Sequence, residues 1–81
     1  MELAFVLVKS KIGHEMDVMN AILKIDGIKE VMGTFGQYDI FAKVQAPTRA
    51  QVEKIITKEI RKVPNVISTT TLPVIPGQGE K

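Results

Sequence analysis

Apolar and polar positions along this chain repeat with two different periods, and the changes of period divide it into six elements. Leu3-Ala4-Phe5-Val6-Leu7-Val8 is apolar at both parities and holds β-branched and aromatic residues. That pattern predicts a strand covered on both faces, ending near Lys9 and Ser10. Gly13 closes a short loop, and from His14 to about Ile25 the residues Met16, Met19, Ile22 and Leu23 recur at helical spacing. Glu15 and Asp17 fall in the first turn of this helix and Lys24 in the last, where each charge suits the helix dipole, and Asp26-Gly27 ends it.

Ile28 to Phe35 then reads as a second strand and Tyr38 to Gln45 as a third, joined by a two-residue type II′ turn at Gly36-Gln37 in which Gly36 takes the positive φ. This reversal sets Phe35 opposite Tyr38 and Asp39 just inside the third strand. Along that strand Tyr38, Ile40, Ala42 and Val44 make an apolar face, and Asp39, Phe41, Lys43 and Gln45 a mixed one. Ala46-Pro47 breaks the strand, and Thr48 with Gln51 has the spacing of a capping box. The helix that follows runs to about Lys62 with Val52, Ile55, Ile56, Ile60 and Val63 in one stripe. Pro64-Asn65 leads into a last strand, Val66 to Val74, rich in threonine and valine. The domain thus occupies residues 1–75, and Pro76 to Lys81, with nothing to bury, is expected to be a loose tail.

The order is β-α-β-β-α-β, and the two halves echo each other: Lys24-Ile25-Asp26-Gly27-Ile28 resembles Lys62-Val63-Pro64-Asn65-Val66. Two β-α-β units with right-handed crossovers predict a ferredoxin-like α+β sandwich, one four-stranded antiparallel sheet with both helices on one face. The other face carries Phe41 and one parity of the first strand, too apolar to stay wet, so the fold is expected to dimerise through it. Composition points the same way. In a chain of 81 residues, 44% hydrophobic content is more than one small core hides easily. With no cysteine there is no disulfide framework or thiolate metal site. Eleven basic residues against nine acidic ones, scattered, give no strong pull toward nucleic acid or membrane. The apolar run at Leu3 to Val8 is too short to span a bilayer and lacks the flanks of a signal peptide, which makes a cytoplasmic location the expectation.

Three stretches together carry a family likeness. The opening Ala4-Phe5-Val6-Leu7-Val8, the hairpin Gly36-Gln37-Tyr38-Asp39 after a strand, and the closing Val66-Ile67-Ser68-Thr69-Thr70-Thr71-Leu72 resemble the ligand-sensing (RAM) domain of the Lrp/AsnC transcriptional regulators, over residues 2 to 75. Family members usually carry a helix-turn-helix domain ahead of this one, and the sequence shows none. The resemblance therefore implies a stand-alone, non-enzymatic sensing domain. It would dimerise through its sheets, assemble dimers into rings and bind an amino acid effector between dimers. It would modulate transcription through mixed assemblies with full-length Lrp/AsnC regulators rather than by direct DNA binding. No cofactor, metal or membrane partner is implied.

A zwitterionic amino acid needs amide or hydroxyl donors for its carboxylate and an acceptor, best charged, for its ammonium group. The hairpin offers both. Gly33 and Gly36 let a ligand approach free backbone N–H groups, Thr34 brings a hydroxyl, Tyr38 a wall with a donor, and Asp39 is the only carboxylate between Glu30 and Glu53. The resemblance adds Thr69 and Thr71 of the last strand, reaching in from across an oligomer interface. Each of these residues also has a plain structural reading: Gly36 for the turn, Tyr38 as a packed strand aromatic, Asp39 as a strand protector or lysine partner, the threonines for β-propensity. The Met16 and Met19 pair is expected in the core. His14 stands alone at a helix start, without a second metal ligand. Lys54, Lys58, Arg61 and Lys62, interrupted by Glu53 and Glu59, read as a solvated helix face.

Two other functions compete. RNA recognition motifs share this strand order, with Phe5 and Phe41 as candidate stacking aromatics, but the motif beginning Lys/Arg-Gly-Phe/Tyr is absent and aromatics are only 5% of the chain. A small dimeric α+β enzyme of the acylphosphatase kind would need an arginine in the loop before the first helix, which is not there, and no nucleophile with a nearby base is evident.

Overall fold

The structure is a computed structural model and describes residues 1–74, so the expected tail at 76–81 lies outside the described residues. Strand β1 (Glu2–Ser10) leads through helix α1 (Glu15–Leu23) to β2 (Ile28–Gly33) and β3 (Ile40–Ala46). Helix α2 (Arg49–Lys54) runs on without a break as a π-helical stretch, Ile55–Ile60, before β4 (Val66–Pro73). The strands form one antiparallel sheet in the order β2-β3-β1-β4. With both helices over one face of that sheet, this is the ferredoxin-like α+β fold that the element order predicts.

The two central strands sort their side chains strictly by parity. Ala4, Val6 and Val8 of β1 and Ile40, Ala42, Val44 and Ala46 of β3 are buried beneath the helices, against Val18 and Ile22 of α1 and Val52, Ile56 and Ile60 from the second helix. The other parity is only half covered. Leu3, Phe5 and Leu7 share that open face with Phe41, whose ring stacks on Phe5 at 5.2 Å, while Met32 and Leu72 at its margins are exposed.

Helix α2 begins with the expected capping box: the Gln51 amide donates to Thr48 Oγ1 at 3.2 Å, and the Thr48 amide to Gln51 Oε1 at 3.2 Å. The widened turns that follow close by a five-residue step, Arg61 N–H to the Ile56 carbonyl at 3.1 Å, and Thr57 Oγ1 takes up the Glu53 carbonyl at 2.9 Å. The wider turn keeps side chains four apart in line, so Val52, Ile56 and Ile60 all point into the core.

Helix α1 differs from its sequence reading. Val18 and Ile22 are its fully buried residues, whereas Met16 is 66% and Leu23 54% exposed, and Met19 packs only at the rim of the core. The core-facing arc is centred on Val18 and Ile22, which turns Met16 and Leu23 onto the helix flank. The helix also ends at Leu23, leaving Lys24 as its C-cap.

The internal echo is real in three dimensions. After α1, Ile25 N–H reaches the Ile22 carbonyl (3.0 Å), Ile28 N–H the Ile25 carbonyl (3.2 Å), and Gly27 takes φ +97° between them. After the second helix, Val63 N–H reaches Ile60 (3.1 Å), Val66 N–H reaches Val63 (3.2 Å), and Asn65 takes φ +74°. Each left-handed residue then presents its carbonyl to the other half: Gly27 accepts from Gln45 N–H at 2.8 Å and Asn65 from Lys11 N–H at 2.8 Å. Both following strands skip a residue in their ladders, β2 between Ile28 and Glu30 and β4 between Val66 and Ser68.

The two positions differ in room. A Cβ on Gly27 would stand 2.6 Å from Ile55 Cδ1 and 3.2 Å from the Gln45 carbonyl oxygen, in a left-handed conformation that L side chains rarely adopt. Asparagine is one of the few residues at ease in that conformation. We therefore expect Gly27→Ala to cost about 2 kcal/mol or more and Asn65→Gly to stay within about 0.5 kcal/mol of the parent, as read from urea unfolding midpoints.

Candidate ligand site

The hairpin between β2 and β3 follows the predicted register but stops pairing early. Gly33 lies opposite Ile40, Thr34 N–H donates to the Asp39 carbonyl at 2.9 Å, and there the ladder ends. Phe35 to Tyr38 therefore form a four-residue loop rather than strand ends around a two-residue turn. The Tyr38 carbonyl is taken by Thr34 Oγ1 at 2.8 Å, which closes the loop at its base. Gly36, at φ +109°, turns the tip with no atom crowding it, and Phe35 is fully exposed.

Two contacts of Asp39 pin this loop to the far end of β1, and one of Tyr38 ties it to β4. Asp39 N–H donates to the Val8 carbonyl at 3.0 Å, and Ser10 N–H donates to Asp39 Oδ2 at 2.9 Å. The carboxylate thus supplies the acceptor that β1 needs once β3 has ended, and it does so beside the ladder irregularity at Lys9 and Ser10. Tyr38 leaves the apolar face to which its parity assigned it. Its hydroxyl meets Thr70 Oγ1 at 2.7 Å, and Thr70, opposite Leu7, belongs to the open face. The ring therefore crosses β1 on the uncovered side of the sheet, and both it and Asp39 are half-buried.

What the loop leaves unspent is its chemistry. Among the described residues no protein acceptor is found for the N–H groups of Phe35, Gly36, Gln37 and Tyr38, and Asp39 Oδ1 has no partner. Gly33, Thr34, Gly36, Tyr38 and Asp39 lie together on this hairpin. Thr69 and Thr71, expected to reach in from another copy, sit on the helix side of β4 within the single chain. Thr69 Oγ1 accepts from Arg61 Nε at 3.0 Å, and Thr71 lines a concavity of about 230 Å³ with Arg49 and Val52. The residues missed from sequence are Thr70 and Ser10. One belongs to a run of three threonines that parity alone cannot sort without a register, and the other contributes only a main-chain amide. Four concavities of about 200 to 440 Å³ among the described residues are lined by residues away from the hairpin.

Comparison with known proteins identifies the architecture. The family model described as the Lrp/AsnC ligand binding domain matches residues 3–76. The chain belongs to that family. Among curated relatives it is similar to the HTH-type transcriptional regulator FL11 of Pyrococcus abyssi, 32% identical over 73 residues that make up 90% of this chain and 48% of the regulator. A stretch of 58 residues, 72% of this chain, is 43% identical to 12% of the homocitrate synthase of Sulfolobus acidocaldarius. The chain thus spans less than half the length of either. The solved structure of FFRP-DM1 superposes with a TM-score of 0.88 at 35% identity, covering 93% of this chain and 100% of that one. This Lrp/AsnC domain is therefore a regulatory ligand-binding unit by family. Among the described residues no helix is long and apolar enough to cross a membrane.

The Asp39 to Ser10 bond must be separated from any ligand role before mutants are read. Asp39→Ala leaves the Ser10 amide without its acceptor and is expected to cost about 1 to 2 kcal/mol in the absence of any ligand. Asp39→Asn keeps an oxygen there and should cost less than about 1 kcal/mol, as measured by chemical denaturation.

Proposed function

We propose that this Lrp/AsnC domain binds a free amino acid at the 33–39 hairpin, in a pocket that a neighbouring copy completes. The observation that carries this reading is the set of unspent groups on one pinned loop. The main-chain N–H groups of Phe35 to Tyr38 suit a carboxylate, and the free Oδ1 of Asp39 suits an ammonium group. The Thr34 hydroxyl, already donating, keeps lone pairs for the same ammonium. Gly33 and Gly36 keep the approach clear. Thr69 and Thr71 enter only as residues of the neighbouring copy, since within one chain they lie across the sheet from Tyr38.

Pairing through the open sheet face supplies the first neighbour. It would cover Leu3, Phe5, Leu7 and Phe41 and the exposed rims Met32 and Leu72. The domain acts by changing assembly, its own or that with full-length Lrp/AsnC regulators in the cytoplasm, and not by chemistry or by touching DNA. The similarity to a synthase covers too small a part of that enzyme to argue for catalysis.

A thermal-shift screen of the common amino acids tests this. At a hundredfold excess over Kd a true effector adds about 2.7 kcal/mol, a rise on the order of 10 °C in a domain of this size. The response should vanish in Asp39→Asn while its unliganded stability stays near the parent. If no amino acid at millimolar concentration moves the midpoint, the proposal fails. Phe41→Glu, placing a charge in the sheet interface, is expected to lower the mass measured by light scattering by at least half.

A further inference from the structure

The sheet ends in β2 on one side and β4 on the other, and the chain treats these two edges differently. A free edge leaves a row of main-chain N–H and C=O groups open to pairing with another strand, and proteins blunt such edges with short length, charged side chains or proline. β2 is six residues long and exposes Lys29 and Glu30. β4 is eight residues long and holds no charged side chain from Val66 to Pro73, while Ile67 and Leu72 on it are exposed. Its ladder with β1 is unbroken from Ser68 to Pro73, so the outer row is regular over that stretch.

The register says which groups are open. Val74 N–H donates to the Leu3 carbonyl at 3.2 Å, and hydrogen-bonded pairs alternate along an antiparallel ladder. Leu72 and Thr70 therefore bond to Phe5 and Leu7 of β1, while Thr69, Thr71 and Pro73 turn their main chains outward. Proline has no N–H, so the outward donors of this stretch are Thr69 and Thr71, and the row stops at Pro73. At its other end stands a cation. Arg61 lines a concavity of about 360 Å³ with Val66, Ile67, Ser68 and Thr69, and no acid shares that wall. Arg61 Nε donates to Thr69 Oγ1 at 3.0 Å, which holds the guanidinium against the edge, and among the described residues no carboxylate pairs with it. Its terminal nitrogens keep their donors for an acceptor from outside. Another copy of β4 does not supply one, because that strand contains no acid.

We propose that the free edge of β4 is a docking site for an extended, acidic segment of a partner protein, which joins the sheet as a fifth strand and sets a carboxylate on Arg61. Main-chain bonds to Thr69 and Thr71 give the attachment, and the charge at Arg61 selects acidic segments over basic ones. The edge lies in the plane of the sheet, a direction used neither by the helix layer nor by pairing through the open face. The docking does not depend on the amino acid reading of the hairpin.

Hydrogen exchange and peptide titration of the full chain, both followed by NMR, test this. In the parent alone the Thr69 and Thr71 amides should exchange roughly tenfold or more faster than those of Thr70 and Leu72. The probe is a blocked heptapeptide of alternating valine and threonine with one glutamate at its centre. Added at millimolar concentration, it should shift the Thr69 and Thr71 resonances and slow their exchange. Replacing its glutamate by lysine should weaken binding about fivefold, and Arg61→Glu, with far-UV circular dichroism unchanged, should reverse that preference. N-methylation of alternate peptide amides should abolish binding for one parity and spare it for the other. Thr69 and Thr71 amides already protected in the parent would mean that a strand of a second copy occupies the edge, and that overturns the proposal. So does a peptide that shifts nothing, or one that binds irrespective of its charge or of N-methyl parity.

Discussion

An antiparallel sheet has two sides, and this chain has helices for only one of them. The strict parity of β1 and β3 follows from that constraint: one row is sealed under five helical side chains, and the other is left with two stacked phenylalanines and partial cover. The sealed row is dense with Ile, Val and Ala. The open row is left half covered in the single chain.

The same constraint places the candidate site. Because β3 begins late, β1 runs past it, and the hairpin folds down over the unpaired end. Asp39 and Tyr38 work as fasteners there, the first to a main-chain amide of β1 and the second to a hydroxyl of β4. A loop fastened at its base can present free N–H groups at its tip without collapsing onto them. Fastening uses one oxygen of Asp39 and leaves the other without a partner among the described residues.

Much of this was legible in the residues. The order of elements, the capping box at Thr48, the repeat around Gly27 and Asn65 and the inward rows of the central strands all follow from local patterns. What was hidden depends on contacts distant in sequence. The apolar residues of α1 form two adjacent stripes, and spacing alone does not say which of them meets the sheet; Val18 decides it, and Met16 loses. Tyr38 obeys strand parity only while it belongs to a strand, and the Thr34 hydroxyl takes its carbonyl out of the ladder. That Thr70 is the threonine meeting the Tyr38 hydroxyl follows only from the register of β4 with β1.

The π-helical turns at Ile55–Ile60 accommodate more chain in the same rise than an α-helix would. The segment therefore carries slack. Loss of a single residue there can be absorbed by relaxation to regular α geometry, with the ends of the helix held in place by the capping box before it and the Asn65 corner after it. Length variation among related domains has a natural refuge at this point, far from both the hairpin and the sheet face.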